Sequence, residues 1–366
     1  MYEEFLKHHK SKDLPKVNQK EKSFGNVYLH SINKHFRRIV IRILYRGPEG
    51  KELTVMPEDR LASALSDEHG LIWADIQGHD PGYSSWLLER FHIEPEIVAD
   101  ALEKEHFPKI DNRGDYLYLV LQAADLIESE PYLDLHEIDL FLGPNFLISH
   151  HNEAVKAIEQ RFNECQGNGC EAPCGPDDLL FELAEAITSD FRPCLSLLEE
   201  EDARVEDEVL RNPTSDLVNH ITMLRRASIY LHRTLLEQRE VLNRLASDNY
   251  RQIGKQSKSD FHRLHEQMRR LVSLSDSLRD MIAGTFSAYL TLTSHRMNQI
   301  VTLLTVIIAV ALPLTVMTGF FGMNFFGPTY EVRSPLNSTQ IFIILLAFMV
   351  LAPLVMWRLI NGMLKR

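Results

Sequence analysis

The residues whose types and spacing could act on an ion lie in an uncharged segment near the C-terminus. Six positions there recur at steps of three and four, which places them on one face of a helix. They are Asn298, Val301, Leu304, Ile308, Leu312 and Thr315. An apolar stripe with a polar side chain near each end is suited to a pore for hydrated cations. Thr and Gly are also common where membrane helices pack together, so a helix–helix packing face is the alternative.

The tripeptide Gly322-Met323-Asn324 directly follows this stripe. Phenylalanines flank it on both sides, as is typical of a membrane–water interface. Its amide and carbonyl oxygens could stand at the mouth of a pore and hydrogen-bond the water shell of a cation. An ordinary helix C-cap, with Gly322 or Asn324 in the left-handed conformation, is the other interpretation.

Two uncharged runs, at 297–330 and 334–357, are each long enough to cross a bilayer as a helix. Arg358, Lys365 and Arg366 follow the second run, and the first residues of the chain contain no apolar signal sequence. The excess of basic residues on the cytoplasmic side of membrane proteins then predicts the orientation. We expect a multi-pass protein of the inner (plasma) membrane with both the N- and the C-terminus in the cytoplasm.

The part of the chain before these runs is strongly acidic. Of the 39 basic and 51 acidic residues, residues 297–366 hold four basic and one acidic, which leaves 35 basic and 50 acidic in residues 1–296, a net charge of −15. Such a surface repels nucleic acid and anionic lipid and suits an environment of cations. We therefore expect divalent cations and the lipid bilayer as partners, and no nucleic acid.

The predicted fold class is an α/β cytoplasmic domain with a long helical stalk and two C-terminal transmembrane helices. Short apolar runs at 37–46, 71–77, 116–126 and 137–151, with a helical stretch at 84–106, predict the α/β domain. The predicted boundaries are a mobile arm at 1–36, the α/β domain at 37–152, a helical part at 153–258, one stalk helix continuing into transmembrane helix 1 at 259–320, an outer loop at 321–338, transmembrane helix 2 at 339–360 and a basic tail at 361–366.

Several segments resemble the CorA family of magnesium and cobalt transporters, within the superfamily that also contains the ZntB zinc transporters. The Gly-Met-Asn tripeptide after the first of two C-terminal spans resembles the hallmark of that family. Further similar segments are FPKID at 107–111, GDYL at 114–117, FLGPNFL at 141–147, QREVL at 238–242 and PLT at 313–315.

The resemblance implies a funnel-shaped homopentamer that conducts Mg²⁺, and also Co²⁺ and Ni²⁺, along its axis. The first span of each subunit would line the pore through the six stripe residues, with Gly322, Met323 and Asn324 at the mouth. Mg²⁺ would be the transported ion and a regulatory ligand, with Zn²⁺ as the alternative.

The chain departs from the family at the positions that would bind regulatory Mg²⁺. Asp100 and Glu185 match the cytoplasmic carboxylates of the family, but the stalk positions expected to be acidic hold Arg263 and Ser287. Asp260 and Glu266 are the nearby acids that could replace them. A solvated acidic face is the other interpretation of all four acids. In the outer loop only Glu331 could attract cations, and Arg333 lies two residues later.

Two other groups of candidate ligands have a simpler interpretation. Cys165, Cys170 and Cys174 could bind a soft metal such as zinc, with Cys194 on a following helix and no clear fourth ligand. Their spacing favours reduced thiols of a cytosolic loop. The pair His150-His151 is interpreted as the end of a strand.

Three functions remain open from the sequence. The first is Mg²⁺ uptake driven by the membrane potential. The second is ZntB-like Zn²⁺ transport, which could be coupled to the movement of protons. The third is a membrane-tethered acidic sensor or scaffold, which would need neither the tripeptide nor the stripe. An enzyme is not expected, because no phosphate-binding loop, nucleophile motif or catalytic triad is recognisable.

Overall fold

The computed structural model describes residues 40–78, 82–102, 107–126, 133–166 and 173–322, together with scattered helical positions between 340 and 358. Strands dominate the first part of the chain, since its apolar runs are short and rich in branched and aromatic residues. The strands are β1 Val40–Arg46, β2 Thr54–Val55, β3 Leu71–Gln77, β4 Lys109–Asn112, β5 Leu117–Leu126, β6 Leu133–Leu142 and β7 Phe146–His151.

Helices lie between the strands and make up all of the later part of the described chain. They are α1 Leu61–Leu65, α2 Gly82–Phe91, α3 Pro95–Leu102, α4 Lys156–Gln166, α5 Pro176–Arg211, α6 Ser215–Ser247 and α7 Lys255–Gly322. The α/β domain and the long helix predicted from the sequence are confirmed. The sequence analysis did not predict β2 and α1, which are too short to show a period.

The seven strands form one mixed sheet in the order β2-β1-β3-β7-β6-β5-β4. Only β3 and β7 are parallel among these pairs, and the other neighbours are antiparallel. One face carries a buried apolar cluster with α2 and α3, in which Tyr118 and Phe141 stack with ring centroids 5.1 Å apart. On the other face, Trp73 packs edge-on against Phe162 of α4 at 5.2 Å. The sheet is therefore covered on both faces.

The turn between β6 and β7 explains one of the family-like segments. A Cβ at Gly143 would lie 2.2 Å from the ring of Phe146, so no larger residue fits there. The Asn145 amide donates to the backbone carbonyls of Leu65 and Asp67 at 3.1 and 2.9 Å, which fixes the turn against the end of α1. The FLGPNFL segment therefore has a structural role in positioning two central strands.

A second family-like segment, at 238–242, also has a structural role. The side-chain carbonyl of Gln238 accepts a hydrogen bond from the backbone N–H of Gln122 at 2.9 Å, and Gln238 is almost completely buried. This buried bond joins α6 to β5, and removing the acceptor would leave part of the hydrogen bonding in this interior unsatisfied, which costs free energy.

The described chain divides into two compact units. The first holds the sheet, α1 to α4, the part of α5 up to Glu199, and residues Arg226–Arg279. The second holds residues Glu200–Arg225 and the chain from Asp280 onward. Each of the three long helices contributes to both units.

Candidate functional site

The candidate pore stripe lies on the C-terminal part of α7, within the second unit. Between Met297 and Gly322 this helix contains no charged residue, and it stays helical through Pro313. Among the described residues, α7 has the length and apolar composition to cross a membrane, with a mean hydropathy of 2.6 in its most apolar stretch and none of that stretch buried.

The predicted stripe is exposed along its whole length in the single chain. Val301, Leu304, Ile308 and Leu312 are 53%, 52%, 60% and 59% exposed, and Asn298 and Thr315 are also exposed. Partly covered residues form a different line along the same helix, comprising Val306, Ala309, Val310, Pro313, Leu314 and Met317. At about 100° per residue, the two lines lie roughly 150° apart around the helix axis. The predicted stripe therefore lies opposite the partly covered line, within a wider exposed surface that also includes Ile307 and Val316.

The threonines of this segment hydrogen-bond within the helix. The Thr315 hydroxyl donates to the backbone carbonyl of Ala311 at 3.0 Å, and Thr302 and Thr305 do the same with Asn298 and Val301 at 2.8 Å. Such a bond uses the hydroxyl proton and leaves the oxygen lone pairs available. Thr315 can therefore present an acceptor oxygen to a cation or to its bound water.

Gly322 is the last helical residue of α7. Met323 and Asn324, and Glu331 of the predicted outer loop, lie outside the described residues, so their roles remain predictions. The carboxyl end of α7 carries the partial negative charge of the helix dipole, which attracts cations to the position of the tripeptide.

N-terminal to the apolar segment, α7 packs on α5 through a buried carboxylate in the second unit. Asp202 is 1% exposed and accepts a hydrogen bond from the Thr285 hydroxyl at 3.3 Å. Its other oxygen, Oδ1, has no hydrogen-bond partner among the described residues. Burial raises the pKa of Asp202 above its ordinary value, and the negative charge of Glu206 raises it further. The hydrogen bond from Thr285 lowers this pKa but does not cancel the rise. Sequence reasoning missed this residue because it looks like one acid of a solvated, charge-rich helix.

The four candidate regulatory acids lie in the first unit, each on an element with other charged groups. Asp100 on α3 forms an ion pair with Lys109, and Asp260 on α7 pairs with Arg263 at 3.1 Å. Glu266 pairs with Arg269 at 2.9 Å. Glu185 is exposed on α5. None of the four belongs to a group of three His, Cys, Asp or Glu ligand atoms brought together within the described part of the chain. Their regulatory role remains a prediction.

The histidine pair at the end of β7 forms two separate buried networks. His150 faces the Asp139 carboxylate at 3.0 Å through Nδ1 and the Gly78 carbonyl at 3.1 Å through Nε2. His151 contacts Asp75 at 3.1 Å through Nε2 and the Glu153 carbonyl at 2.5 Å through Nδ1. The interpretation of the pair as a strand end is confirmed, since all four ring nitrogens are occupied.

The network around Asp75 is the most strongly charged part of the sheet interior. Asp75 accepts hydrogen bonds from Ser149 at 2.6 Å and from Arg42 at 3.1 Å, and Arg42 also bonds both oxygens of Glu159 at 2.8 Å. Burial alone would raise the pKa of Asp75, but His151, Ser149 and Arg42 together lower it below its ordinary value. Burial alone would lower the pKa of His151, and the hydrogen bond and charge of Asp75 raise it above its ordinary value. Both pKa shifts therefore favour the ionised forms of the pair.

The described cysteines are dispersed. Cys165 and Cys194 are buried in α4 and α5, and Cys174 is exposed. Burial, with the charges of Asp190 and Asp125, raises the pKa of Cys194 to about 12, so it is a protonated thiol. Cys170 lies outside the described residues.

One group of three potential metal ligands was missed by the sequence analysis. Asp134 and His136 on β6 and Glu153 after β7 bring ligand atoms within 4.8 Å of one another. The signal in the sequence is an Asp and a His two positions apart, directly before the strand run predicted at 137–151. It becomes informative once β6 is seen to begin at Leu133 and to pair with β7.

Comparisons with known proteins agree with this architecture. The family model described as "CorA-like Mg2+ transporter protein" matches residues 68–366. The cobalt/magnesium transport protein CorA of Thermotoga maritima is 26% identical over 255 residues, which are 69% of this chain and 73% of the relative. The zinc transport protein ZntB of Yersinia pseudotuberculosis is also 26% identical, over 280 residues that are 75% of this chain and 82% of the relative.

A solved structure supports the fold. The complete structure of the CorA magnesium transporter from Methanocaldococcus jannaschii superposes with a TM-score of 0.74 at 22% sequence identity, covering 88% of this chain and 98% of that chain. Because the family model covers far more than half of the sequence, from Glu68 to Arg366, the family is established. The chain belongs to the CorA-like Mg²⁺ transporter protein family, whose members are metal-ion transporters and not enzymes.

Proposed function

We propose that this protein is the subunit of a homopentameric channel that takes up Mg²⁺ across the inner (plasma) membrane. The observation that carries the proposal is the stripe of six predicted pore residues on α7, which is exposed in the single chain and lies opposite the partly covered line of the same helix. A helix surrounded only by lipid needs no such asymmetry between a partly covered line and an exposed line. Five copies, with α7 innermost and the second span outside, would bring the exposed lines together around an axis.

Conduction of Mg²⁺ fits the residue types of the stripe. Mg²⁺ loses its water reluctantly and prefers oxygen in octahedral geometry. Rings of Asn324, Thr315 and Asn298 would hydrogen-bond the hydrated ion without stripping it. The stripe contains no carboxylate, and a pore without fixed charges lets the ion leave again. The apolar rings of Leu304, Ile308 and Leu312 would close the pore by excluding water when it is narrow.

Zn²⁺ transport of the ZntB type is the second candidate. It is supported by the equal identity, 26%, to a cobalt/magnesium and to a zinc transport protein. Arg263 at a stalk position where the CorA resemblance implies an acid also favours it, since a cation there repels regulatory Mg²⁺. Met323 favours the magnesium branch, because the zinc branch typically has Gly-Val-Asn.

The test is ion flux into proteoliposomes loaded with dyes sensitive to Mg²⁺ or to Zn²⁺. Wild type is compared with Asn324→Ala and with the control Asn337→Ala, which changes the same residue type in the loop that follows. The proposal expects Mg²⁺ uptake that is reduced at least tenfold by Asn324→Ala alone. Zn²⁺ uptake with little Mg²⁺ uptake would replace it by the second candidate, and equal Mg²⁺ uptake by both variants would contradict the assigned mouth.

A further inference from the structure

A cluster of histidine and carboxylate side chains lies at the ends of two interior strands of the sheet, in the first unit. The candidate pore residues belong to the second unit. Asp134 and His136 alternate on β6 and so point to the same face, and Glu153 follows the end of β7. His136 Nε2 lies 4.0 Å from Asp134 Oδ2, and Nδ1 lies 3.9 Å from Glu153 Oε2. Both separations are too long for hydrogen bonds, and they involve different nitrogens of the ring. One ligand atom from each of the three residues lies within 4.8 Å of the other two, which brings them near enough to share an ion after a small movement of the side chains.

His136 differs from the two other histidines of the sheet. Its side chain is only 13% exposed, yet no hydrogen bond joins its ring to another residue in the described part of the chain. His150 and His151 use both ring nitrogens in hydrogen bonds of 3.1 Å or less. A largely buried imidazole normally has a partner, because an unsatisfied buried polar group costs free energy. His136 therefore has the coordination capacity that its neighbours on β7 lack.

Further carboxylates surround the cluster. Asp125 lies directly opposite Asp134 in the β5–β6 register, and like charges at such positions are destabilising. On the neighbouring helix α5, burial raises the pKa of Asp190, the charge of Lys156 lowers it, and the charge of Asp125 raises it. Asp125 and Asp134 thus repel one another across the β5–β6 pair, and a divalent cation bound at Asp134 would offset that repulsion.

We propose that Asp134, His136 and Glu153 bind a first-row transition cation such as Zn²⁺ or Co²⁺ at a site separate from the pore. One imidazole nitrogen and two carboxylates form a donor set that suits these ions, whereas Mg²⁺ prefers oxygen alone. Metal–ligand bonds of about 2.0–2.2 Å place tetrahedral ligands roughly 3.3–3.5 Å apart. The three ligand atoms lie within 4.8 Å of one another, so the side chains need to close by up to about 1.5 Å. One ring nitrogen binds the ion together with the two carboxylates, and the other nitrogen keeps its proton and is free to donate to an acceptor outside this donor set.

The test is Zn²⁺ binding to the full-length protein in detergent, after removal of bound metal with a chelator. A large excess of Mg²⁺ is kept present to occupy sites made of oxygen alone. We expect His136→Ala to bind one Zn²⁺ fewer per chain than wild type, and Asp134→Asn and Glu153→Gln to bind at least tenfold more weakly. The matched control is His69→Ala, which removes an exposed histidine of the same unit and leaves binding unchanged.

Thermal unfolding shows whether the variants are folded and supplies a second readout. Zn²⁺ should raise the midpoint of wild type and of His69→Ala but not that of His136→Ala. Should His136→Ala not fold, the titrations of Asp134→Asn and Glu153→Gln are decisive. Zn²⁺ binding by these variants equal to that of wild type would overturn the proposal. The result is independent of the ion that the pore conducts, because Asn324→Ala should retain this site.

Discussion

At the scale of single residues, the structure distinguishes charged groups that were alike in the sequence. Asp75, Asp202 and Asp100 are all acids within apolar patterns. Asp75 is paired with His151 and Arg42. Asp202 is buried with one oxygen unpaired among the described residues, and Asp100 is partly exposed beside Lys109. Their contributions to stability should therefore differ in size and in pH dependence.

The buried ion pair of Asp75 and His151 should make a large contribution to stability. In His151→Gln, the buried Asp75 keeps Arg42 and Ser149 but loses one charged partner, so the free energy of unfolding should fall by about 2 kcal/mol. Asp100→Asn, which breaks an exposed pair, should cost less than about 1 kcal/mol. Thermal and denaturant unfolding of the two variants against wild type measures the difference.

The pH dependence of this ion pair follows from the two pKa shifts. The pKa of His151 is raised on folding, so its contribution is complete below the ordinary histidine value of about 6.5 and disappears as pH rises through the folded value. The pKa of Asp75 is lowered, so its contribution is present above about 3.9 and disappears as pH falls through the folded value. The stability difference between wild type and His151→Gln should therefore shrink in alkaline solution. A difference that grows with pH would contradict the assigned ionisation.

Asp202 should show the opposite behaviour. Its raised pKa means that the folded protein is favoured by protonation and that ionisation at higher pH costs stability. Asp202→Asn should therefore raise the unfolding midpoint at pH 8 and have a smaller effect at pH 5. Asp207→Asn changes an exposed acid of the same helix and serves as the control. A lower midpoint for Asp202→Asn at pH 8 would show that the carboxylate is needed in its charged form.

At the scale of elements, α7 was the most predictable part of the chain. Its uninterrupted helical period and uncharged segment predict a helix at 259–320, and the helix extends from Lys255 to Gly322. The sheet was predicted as a set of strands, but not its order, because the parallel pairing of β3 with β7 depends on contacts between residues more than seventy positions apart. For the same reason, the cluster of Asp134, His136 and Glu153 could not be recognised without the strand register.

The assignment of the exposed face of α7 to the pore predicts different effects for two adjacent isoleucines. Ile308 lies on the stripe and Ile307 does not, although they are 60% and 53% exposed. Ile308→Ser should hydrate the apolar constriction and increase basal Mg²⁺ flux severalfold, because a polar ring lowers the barrier that excludes water. Ile307→Ser should leave the flux within about twofold of wild type. Equal effects of both substitutions in the proteoliposome assay would argue against this face as the pore lining.

At the scale of the whole molecule, the proposed axial pore requires several chains to assemble around one axis. A stripe of apolar side chains that remains exposed along α7 has to meet lipid or other copies of the chain. A homopentamer predicts a particle with five times the 42.2 kDa of one chain, measurable by native mass spectrometry. A monomer or dimer that still conducts Mg²⁺ would exclude an axial pore made by five copies of α7.

The most direct test of the central claim is Mg²⁺ uptake by proteoliposomes of the purified protein at imposed membrane potentials. For a divalent ion, a potential of about 100 mV, negative inside, supplies roughly 4.6 kcal/mol. The account predicts that uptake increases with this potential, stops when the potential is clamped at zero without a Mg²⁺ gradient, and does not respond to a pH gradient. Uptake that follows the pH gradient at zero potential, or no uptake at all, would contradict passive conduction through the proposed pore.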